Sequence, residues 1–421
     1  MQPVISAVVV FVVAVCLLAL DIYLYQPVRV VSRTWQAPYR YSLRAAYWAV
    51  SVFLLLMVII FMVAGADYLG VAARNWIIAA MFVVLISKAA GGLIVLTDDL
   101  QRGVRWLFRR LKPAKPEAQA VANVKKISRS EFLSRAALLA ASAPFTALSF
   151  GILSGAYDYR LHRVTIKLPN LPQPFDGLRI GQISDIHSGS FFNKTAVNGG
   201  VDMLLAEKPD VVFFTGDLVN NQTDEINDYL PIFSRIRAPL GVFSVTGNHD
   251  YGNYRSWPSQ AAKRRNFENL LEAHRFMGFD LLMNEYRMLK LNGEQIAVIG
   301  VENWGTGRFP RYGDLPRALK GTEAAPVKLL LSHDPSHWDA QIRPDFPDVD
   351  ITFAGHTHGF QFGIEWGNIR WSPSQYVYRQ WAGLYREGRQ YLYVNRGFGF
   401  IGYPGRIGIL PELTVVELKR A

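Results

Sequence analysis

Residues 349–358 read Val-Asp-Ile-Thr-Phe-Ala-Gly-His-Thr-His, a mostly apolar run that ends in a glycine and a pair of histidines. A short apolar run bounded by turn residues is typical of a strand that is covered on both faces. His356 and His358 would then follow the carboxyl end of that strand, where open α/β sheets place their binding crevice. The segment therefore predicts an α/β fold with a polar site at one edge of a sheet.

Four more motifs follow predicted strands in the same way and carry the same residue types. In chain order they are Asp185-Ile186-His187, Gly216-Asp217, Gly247-Asn248-His249-Asp250 and Ser332-His333-Asp334. Five of the eight histidines in the chain lie in these motifs and in the 355–358 segment. One histidine or one Gly-Asp pair after a strand is common, but the ordered series is not. Together the motifs predict five loops that converge on one site.

The chain from residue 158 onward alternates short apolar runs with amphipathic stretches. Eleven runs between residues 162 and 418 predict strands, and Gly/Pro turns separate them. Helices are predicted near 195–207, 225–236, 259–277 and 336–342. The outline is an α/β fold in which helices flank a sandwich of two sheets.

Charge is distributed unevenly between the two parts of the chain. Residues 1–157 carry 16 Lys/Arg and 6 Asp/Glu, a net of +10, whereas residues 158–421 carry 29 and 28, a net of +1. A nucleic-acid enzyme is expected to place positive charge on its catalytic domain, so this balance argues against that class. Cys16 is the only cysteine, which excludes an intrachain disulfide, a cysteine metal site and a cysteine nucleophile.

Four runs in the N-terminal part contain almost no charge. Residues 1–20, 45–66 and 75–97 contain only Lys88, and residues 136–157 contain none. Each run is about long enough to cross a hydrocarbon core ~30 Å thick. The first three predict transmembrane helices. The fourth contains a proline and is either a further span or an interfacial helix. Lys88, the lone lysine of the third run, is expected to snorkel toward the headgroups.

These runs predict four regions along the chain. They are a membrane region over 1–111 with three transmembrane helices, a basic linker over 112–135, a fourth membrane helix over 136–157 and a catalytic domain over 158–421. Residues 128–133, Ser-Arg-Ser-Glu-Phe-Leu, resemble a twin-arginine export signal whose second arginine is replaced by Ser130. The alternative is a helix start at which Ser128 and Glu131 form a capping box.

The basic residues predict the orientation of the chain in a plasma (inner) membrane. Residues 26–44 contain four arginines and no acid, and residues 98–135 contain ten basic residues. Loops rich in lysine and arginine face the cytoplasm. If residues 136–157 span the membrane, the catalytic domain is extracytoplasmic, and if they do not, it is cytoplasmic.

The five motifs, in this order, resemble those of the calcineurin-like metallophosphoesterase superfamily, and later segments resemble its membrane-associated bacterial branch. The resemblance covers about residues 160–420 and implies an αββα sandwich. Phosphoprotein phosphatases of the superfamily carry an Asp-Arg pair shortly after Gly-Asp. Here Gly216-Asp217 is followed by Leu-Val-Asn-Asn, which argues against a protein Ser/Thr phosphatase.

The resemblance also implies a dinuclear metal site and a catalytic histidine. One ion would be held by Asp185, His187, Asp217 and His358, and the other by Asp217, Asn248, His333 and His356. Histidine-rich ligands suit Mn, Fe or Zn better than Mg or Ca. His249 would assist the leaving oxygen, and Asp250 would orient His249, unless Asp250 serves as a turn cap.

The implied activity is that of a membrane-anchored phosphoesterase, a phosphodiesterase rather than a monoesterase. Its partners would be the membrane and a lipid-linked or envelope phosphate ester. The alternatives are a nuclease of the same superfamily and a membrane sensor or scaffold with an attached hydrolase domain. Residues 359–410 are rich in aromatics. Some of these suit a headgroup-facing surface, with Phe398–Tyr403 as a membrane-dipping loop or, alternatively, as a core strand.

Overall fold

The computed structural model describes residues 7–64, 66–111, 128–367 and 369–421. The chain divides into two compact units, Met1–Ser149 and Phe150–Ala421, which we call the membrane unit and the catalytic unit. Most of the predicted linker, residues 112–127, lies outside the described residues, as does the start of the first predicted helix.

Four long apolar helices occupy the N-terminal part of the chain. They are α1 (Ala7–Ser32), α2 (Ala37–Val63), α3 (Val71–Leu111) and α4 (Arg129–Leu153). All four are long and apolar enough to cross a membrane. Helix α3 has 41 residues and is therefore ~60 Å long, about twice the thickness of a hydrocarbon core.

Helix α4 begins seven residues before the predicted position. It starts at Arg129 rather than at residue 136, so the last part of the predicted linker is helical. The Ser128 hydroxyl accepts a hydrogen bond from the Glu131 N–H at 3.2 Å, as in one half of a capping box. This cap explains the early start, because it satisfies a backbone donor that the first turn leaves free.

An ion pair lies inside the membrane unit. Lys88 of α3 contacts the carboxylate of Asp21 on α1, and it donates a hydrogen bond to the Ser51 hydroxyl on α2 at 2.9 Å. The Lys88 and Asp21 side chains are only 13% and 11% exposed. The snorkelling predicted for this lysine is therefore wrong, because a carboxylate within the bundle gives it a nearer partner.

The catalytic unit contains two six-stranded mixed sheets. The first has the order β1-β14-β2-β3-β4-β5 and the second β12-β13-β9-β8-β7-β6, and β10 pairs only with β11. The strands of the first sheet are β1 (Arg160–Leu168), β2 (Arg179–Ile183), β3 (Val211–Phe214), β4 (Val242–Ser244), β5 (Asp280–Leu281) and β14 (Glu412–Arg420). Those of the second are β6 (Glu285–Leu291), β7 (Glu294–Gly300), β8 (Lys328–Leu331), β9 (Ile351–Ala354), β12 (Gly383–Glu387) and β13 (Gln390–Val394). A separate hairpin consists of β10 (Ile364–Trp366) and β11 (Ile369–Trp371).

The two sheets pack face to face, and helices cover their outer faces. Phe213 of β3 and Phe353 of β9 meet between the sheets with ring centroids 5.0 Å apart. The helices are α5 (Lys194–Ala206), α6 (Leu230–Phe233), α7 (Gln260–Met277), α8 (Leu315–Leu319) and α9 (Arg343–Asp345). Buried apolar residues of α5 and α7 pack in one outer core and those of α8 in the other. The predicted α/β sandwich, preceded by apolar helices, is confirmed.

Two details of the catalytic unit differ from the prediction. The helix expected over 225–236 is reduced to α6, because Pro231 is tolerated only in the first turn of a helix. The predicted membrane-dipping loop Phe398–Tyr403 is wrong, since Phe398 and Phe400 are fully buried. Phe398 packs on Tyr159 at 4.5 Å, so the core alternative applies to these rings.

Candidate metal centre

The five motif loops follow the carboxyl ends of β2, β3, β4, β8 and β9, and they meet at one edge of the two sheets. Backbone hydrogen bonds join them in pairs. The Asp185 N–H donates to the Gly216 carbonyl at 2.9 Å, and the Gly355 N–H donates to the His333 carbonyl at the same distance. The predicted convergence of the loops is therefore present in the fold.

Six of the seven predicted ligands form two groups. Within each group the ligand atoms lie within 4.8 Å of one another; the first group is Asp185, His187 and His358, and the second is Asp217, His333 and His356. Asp217 links them, because its Oδ2 lies 3.1 Å from His333 Nε2 and 3.5 Å from His187 Nε2. A carboxylate in this position can offer one oxygen to each of two ions.

Several buried ligand atoms have no hydrogen-bond partner among the described residues. They are the Nε2 atoms of His187 and His358 and the Oδ1 atom of Asn248, the seventh predicted ligand. The Asn248 amide nitrogen is fixed by the Tyr254 hydroxyl at 2.9 Å, which leaves the carbonyl oxygen available. A buried polar atom left unpaired costs ~1–3 kcal/mol. Cations bound to these atoms would remove that cost, so the residues fit a metal site.

The backbone at the site is also strained. Positive φ angles occur at Asp185 (52°), His187 (48°), Asp217 (58°), His356 (70°) and His358 (50°). For residues other than glycine this region is uncommon and costs ~1–3 kcal/mol each. Such strain persists only where the surroundings enforce it, and here it turns successive side chains toward one point.

Hydrogen bonds fix the orientation of the histidine rings. His187 Nδ1 lies 3.0 Å from Asn220 Oδ1, and His333 Nδ1 lies 2.7 Å from the Thr215 carbonyl. These oxygens accept, so each Nδ1 carries a proton and each Nε2 is the nitrogen that faces the site. In His356 the two ring nitrogens exchange these positions. Its Nε2 meets the Tyr378 hydroxyl at 2.9 Å, and its Nδ1 faces His333 Nε2 at 3.3 Å.

The electrostatics of the site are dominated by histidine and carboxylate pairs. Burial would raise the pKa of Asp217, but His333 holds this pKa well below its usual value. Burial would likewise lower the pKa of His333, and Asp217 raises it to about 10. Burial lowers the pKa of His187, His356 and His358. A lowered pKa favours the neutral form of these three rings, which is the form that binds a metal ion.

His249 lies beside the two groups rather than within them. Its Nδ1 donates to the Asn220 carbonyl at 2.7 Å, which leaves Nε2 as the nitrogen available for chemistry. Its ring packs on Tyr254 with centroids 4.4 Å apart and meets His187 edge-on at 4.9 Å. Its backbone N–H donates to Asp217 Oδ1 at 2.8 Å, which ties the His249 backbone to the Asp217 carboxylate.

Asp250 makes different contacts from those expected. Its carboxylate accepts backbone N–H groups of Asp217, Leu218, Val219 and Gly247 at 2.8–3.4 Å. The oxygen that orients the His249 ring comes instead from the Asn220 carbonyl. Asp250 therefore holds two ligand loops together, which is closer to the turn-cap alternative than to a catalytic role.

Asn220, Tyr378 and Arg406 contact the site residues but were not predicted from the sequence. Asn220 contacts two histidines, and its place three residues after Gly216-Asp217 was a usable signal. Tyr378 and Arg406 carry no such signal, because they reach the site from remote loops. The Arg406 guanidinium is buried, donates to the Arg396 carbonyl at 2.7 Å and lies 3.1 Å from His358 Nδ1.

Comparison with known proteins gives the family. Residues 178–360 match the family profile described as calcineurin-like phosphoesterase, and residues 5–156 match that of a probable calcineurin-like phosphoesterase transmembrane domain. The uncharacterized metallophosphoesterase YkuE of Bacillus subtilis is 31% identical over 312 residues, which are 70% of this chain and 99% of that protein. This chain belongs to the calcineurin-like phosphoesterase family. It is thus a membrane-linked, metal-dependent phosphoester hydrolase.

Other relatives of this metallophosphoesterase come from animals and bacteria. A transmembrane protein with metallophosphoesterase domain from Danio rerio is 28% identical over 65% of this chain and 60% of its own length. The UDP-2,3-diacylglucosamine pyrophosphatase LpxG of Chlamydia trachomatis is 27% identical over 57% of this chain and 84% of its own length.

Proposed function

We propose that this metallophosphoesterase uses two metal ions to hydrolyse a disubstituted phosphate, a phosphodiester or a pyrophosphate, of a lipid-linked substrate. The observation that carries the proposal is the position of Asp217, whose Oδ2 reaches histidines of both ligand groups. The name of the chlamydial relative, a pyrophosphatase of a diacylated sugar nucleotide, supports the substrate class. The four apolar helices support a substrate that resides in a membrane.

The ligand assignment follows the two groups, with Asp217 shared between them and Asn248 added to the second. Asp185, His187, Asp217 and His358 would hold one ion, and Asp217, Asn248, His333 and His356 the other. Mn, Fe and Zn suit this mixture of imidazole, carboxylate and amide. Two such ions supply a metal-activated hydroxide and neutralise the phosphoryl oxygens when bound.

The proposed role of His249 is to protonate the leaving oxygen. The Asn220 carbonyl holds the Nδ1–H, so Nε2 is the atom that can hold and release a second proton. The Tyr254 ring against one face limits rotation of the imidazole. General acid catalysis of this kind contributes ~10²–10⁴-fold. A phosphodiester or a pyrophosphate benefits from it, because its leaving oxygen is otherwise expelled as an alkoxide or a phosphate anion.

We further propose that the catalytic unit faces the extracytoplasmic side of a plasma (inner) membrane. Four spanning helices would return the chain to the side on which it began. Arginines flank the turn between α1 and α2, and others lie in the last three turns of α3. Because basic residues favour the cytoplasmic side, they support a cytoplasmic position for that turn and for the carboxyl end of α3. Fusions of alkaline phosphatase and of a fluorescent protein after Ala421 test this. An active phosphatase and a dark fluorescent protein are expected, and the opposite pair would reverse the orientation.

The activity is tested on the purified full-length protein. We expect two Mn, Fe or Zn ions per chain and faster hydrolysis of bis(p-nitrophenyl) phosphate than of p-nitrophenyl phosphate. Faster hydrolysis of the monoester would contradict the proposed substrate class. Absence of bound metal together with absence of hydrolysis after reconstitution would contradict the dinuclear mechanism itself.

A further inference from the structure

The hairpin formed by β10 and β11 has one entirely apolar face. Its register pairs Ile364 with Trp371 and Trp366 with Ile369. Because side chains alternate across a strand, these four lie on the same face. Ile364, Trp366 and Ile369 are 54%, 80% and 60% exposed. A two-stranded hairpin cannot bury such a face by itself, so the exposed face calls for a partner surface.

The opposite face of the hairpin is fastened to the catalytic unit. Glu365 accepts from Arg396 at 2.6 Å, and Arg396 also pairs with the fully buried Glu412. Arg370 lies over the Trp381 ring at 5.1 Å. The hairpin is therefore held in place by its polar face. Its apolar face stays outward because the body of the unit already holds the other side.

Further exposed apolar residues extend this face toward the candidate metal centre. Tyr376 and Val377 are 76% and 65% exposed, and Phe362 is 45% exposed. The Trp371 indole N–H contacts the Tyr376 hydroxyl at 3.5 Å, so the turn after the hairpin is continuous with it. The next residue along the chain, Tyr378, reaches Nε2 of the proposed ligand His356. We call Phe362, Ile364, Trp366, Ile369, Tyr376 and Val377 the apolar patch.

We propose that the apolar patch inserts into the headgroup region of a bilayer and presents lipid phosphates to the metal centre. This inference rests on the proposed lipid-linked substrate. Soluble proteins rarely expose a contiguous apolar surface of this kind without a partner. Tryptophan and tyrosine are the residues that favour the membrane–water interface. The chain carries four helices able to span a membrane, so a bilayer is the apolar partner that is always present at high local concentration.

Charge near the patch favours the same occupant. Arg370 and Arg379 are exposed and lie within two residues of the patch along the chain, and each basic residue near an anionic bilayer contributes ~1 kcal/mol of attraction. Glu365 is the acid on the two hairpin strands, and its ion pair with Arg396 neutralises it. A surface that combines exposed indole rings, aliphatic side chains and arginines matches the headgroup layer better than the interior of a protein interface, where charge is depleted.

The first experiment measures insertion directly and does not depend on activity. Cys16, the only cysteine, is replaced by serine in the full-length protein. An environment-sensitive NBD label is then placed through Trp366→Cys or, as a control, through Lys320→Cys on an exposed part of the same unit. In nanodiscs with brominated lipids we expect quenching at 366 and none at 320. Equal quenching of the two labels overturns the proposal. So does a label at 366 that is shielded from water only when a second copy of the chain crosslinks to it.

The second experiment separates the patch from the chemistry. Trp366→Ser/Ile369→Ser is compared with Phe276→Ser, a matched change of an exposed apolar residue outside the patch. Hexadecyl p-nitrophenyl phosphate in anionic vesicles is the bilayer substrate, and bis(p-nitrophenyl) phosphate is the soluble one. We expect the double variant to lose ~10-fold or more on the bilayer substrate alone, since two large apolar side chains leave the interface.

The outcomes distinguish the two proposals. Equal activity of the double variant and the control on the bilayer substrate overturns the role of the patch. Failure of the wild-type protein on both substrates contradicts the proposed function, and in that case the NBD measurement still decides whether the hairpin enters the bilayer.

Discussion

The membrane unit and the catalytic unit both bury charged groups, but they neutralise them differently. In the membrane unit Lys88 meets Asp21 and Ser51, and each charge has a partner of the opposite sign or a hydroxyl. In the catalytic unit Asp185 and Asp217 lie among histidines, and several ligand atoms have no hydrogen-bond partner among the described residues.

The backbone shows the same contrast. Lys88, Asp21 and Ser51 sit in regular helices, whereas five of the seven proposed ligands have positive φ. Buried charges that satisfy one another on unstrained backbone indicate a structural pair. Buried acceptors that crowd together on strained backbone indicate a site that a cation completes. The predictions below test this distinction.

The largest effect is expected from removal of Asp217, the carboxylate proposed to bridge the two ions. Asp217→Ala should lower kcat/KM by ~10³-fold or more, because the bound metals supply several kcal/mol of transition-state stabilisation. The metal content of this variant, measured by mass spectrometry of the purified protein, should fall together with kcat/KM. Asp228→Ala is the control, since Asp228 is exposed and pairs only with Lys194 among the described contacts. Full activity in Asp217→Ala would remove the basis for a shared centre.

Replacement of His249 should separate catalysis from metal binding. His249→Gln should lower kcat by ~10²–10⁴-fold through loss of the proton donor. It should leave two ions bound, because His249 lies outside both ligand groups. Steady-state kinetics and metal analysis of the same preparation check this. Loss of one ion from this variant would show that His249 is a ligand.

The intramembrane pair should behave as a structural element. Lys88→Met should destabilise the full-length protein in detergent by ~3–5 kcal/mol, because it leaves the buried Asp21 unpaired. The double variant Lys88→Met/Asp21→Leu should regain most of the lost stability. Arg102→Met, which removes the exposed Arg102 from an ion pair with Asp98 that Arg129 also neutralises, should cost ~1 kcal/mol or less. Thermal unfolding of the wild-type protein and the three variants compares their stabilities. Unchanged stability of Lys88→Met with abolished hydrolysis would make the pair functional instead.

Metal affinity should depend on pH in a predictable direction. The pKa of His333 is raised to about 10 beside Asp217, so His333 must lose a proton before it can bind an ion. Affinity should therefore rise with pH below that value, by up to about tenfold per pH unit for one proton. Calorimetry with Mn²⁺ in two buffers of different ionisation enthalpy should detect about one proton released. Affinity that is independent of pH would mean that the metal ion does not compete with a proton at His333.

The sequence predicted the sandwich and the set of candidate ligands because both depend on local patterns. Apolar runs gave the central strands, and the residues after them supplied the motifs. Asp21 was missed as a partner because it lies one residue beyond the first uncharged run, and only helix packing brings it to Lys88. Tyr378 and Arg406 were missed because they reach the histidines from other loops.

The aromatic stretch shows the limit of such patterns most clearly. Phe398 and Phe400 are fully buried, whereas Trp366 is 80% exposed. Composition does not distinguish them, since both segments are rich in aromatics and glycine. The difference arises from tertiary structure: Phe398 packs under Tyr159, and the Glu365–Arg396 pair holds the hairpin with its apolar face outward.

Anomalous diffraction from crystals of the Mn²⁺-loaded full-length protein tests the central claim most directly. Two peaks ~3.5–4 Å apart are expected, both within bonding distance of the Asp217 carboxylate, with His358 on one and His333 on the other. A single peak that Asp217 does not contact, or no peak among these residues, would contradict the dinuclear centre.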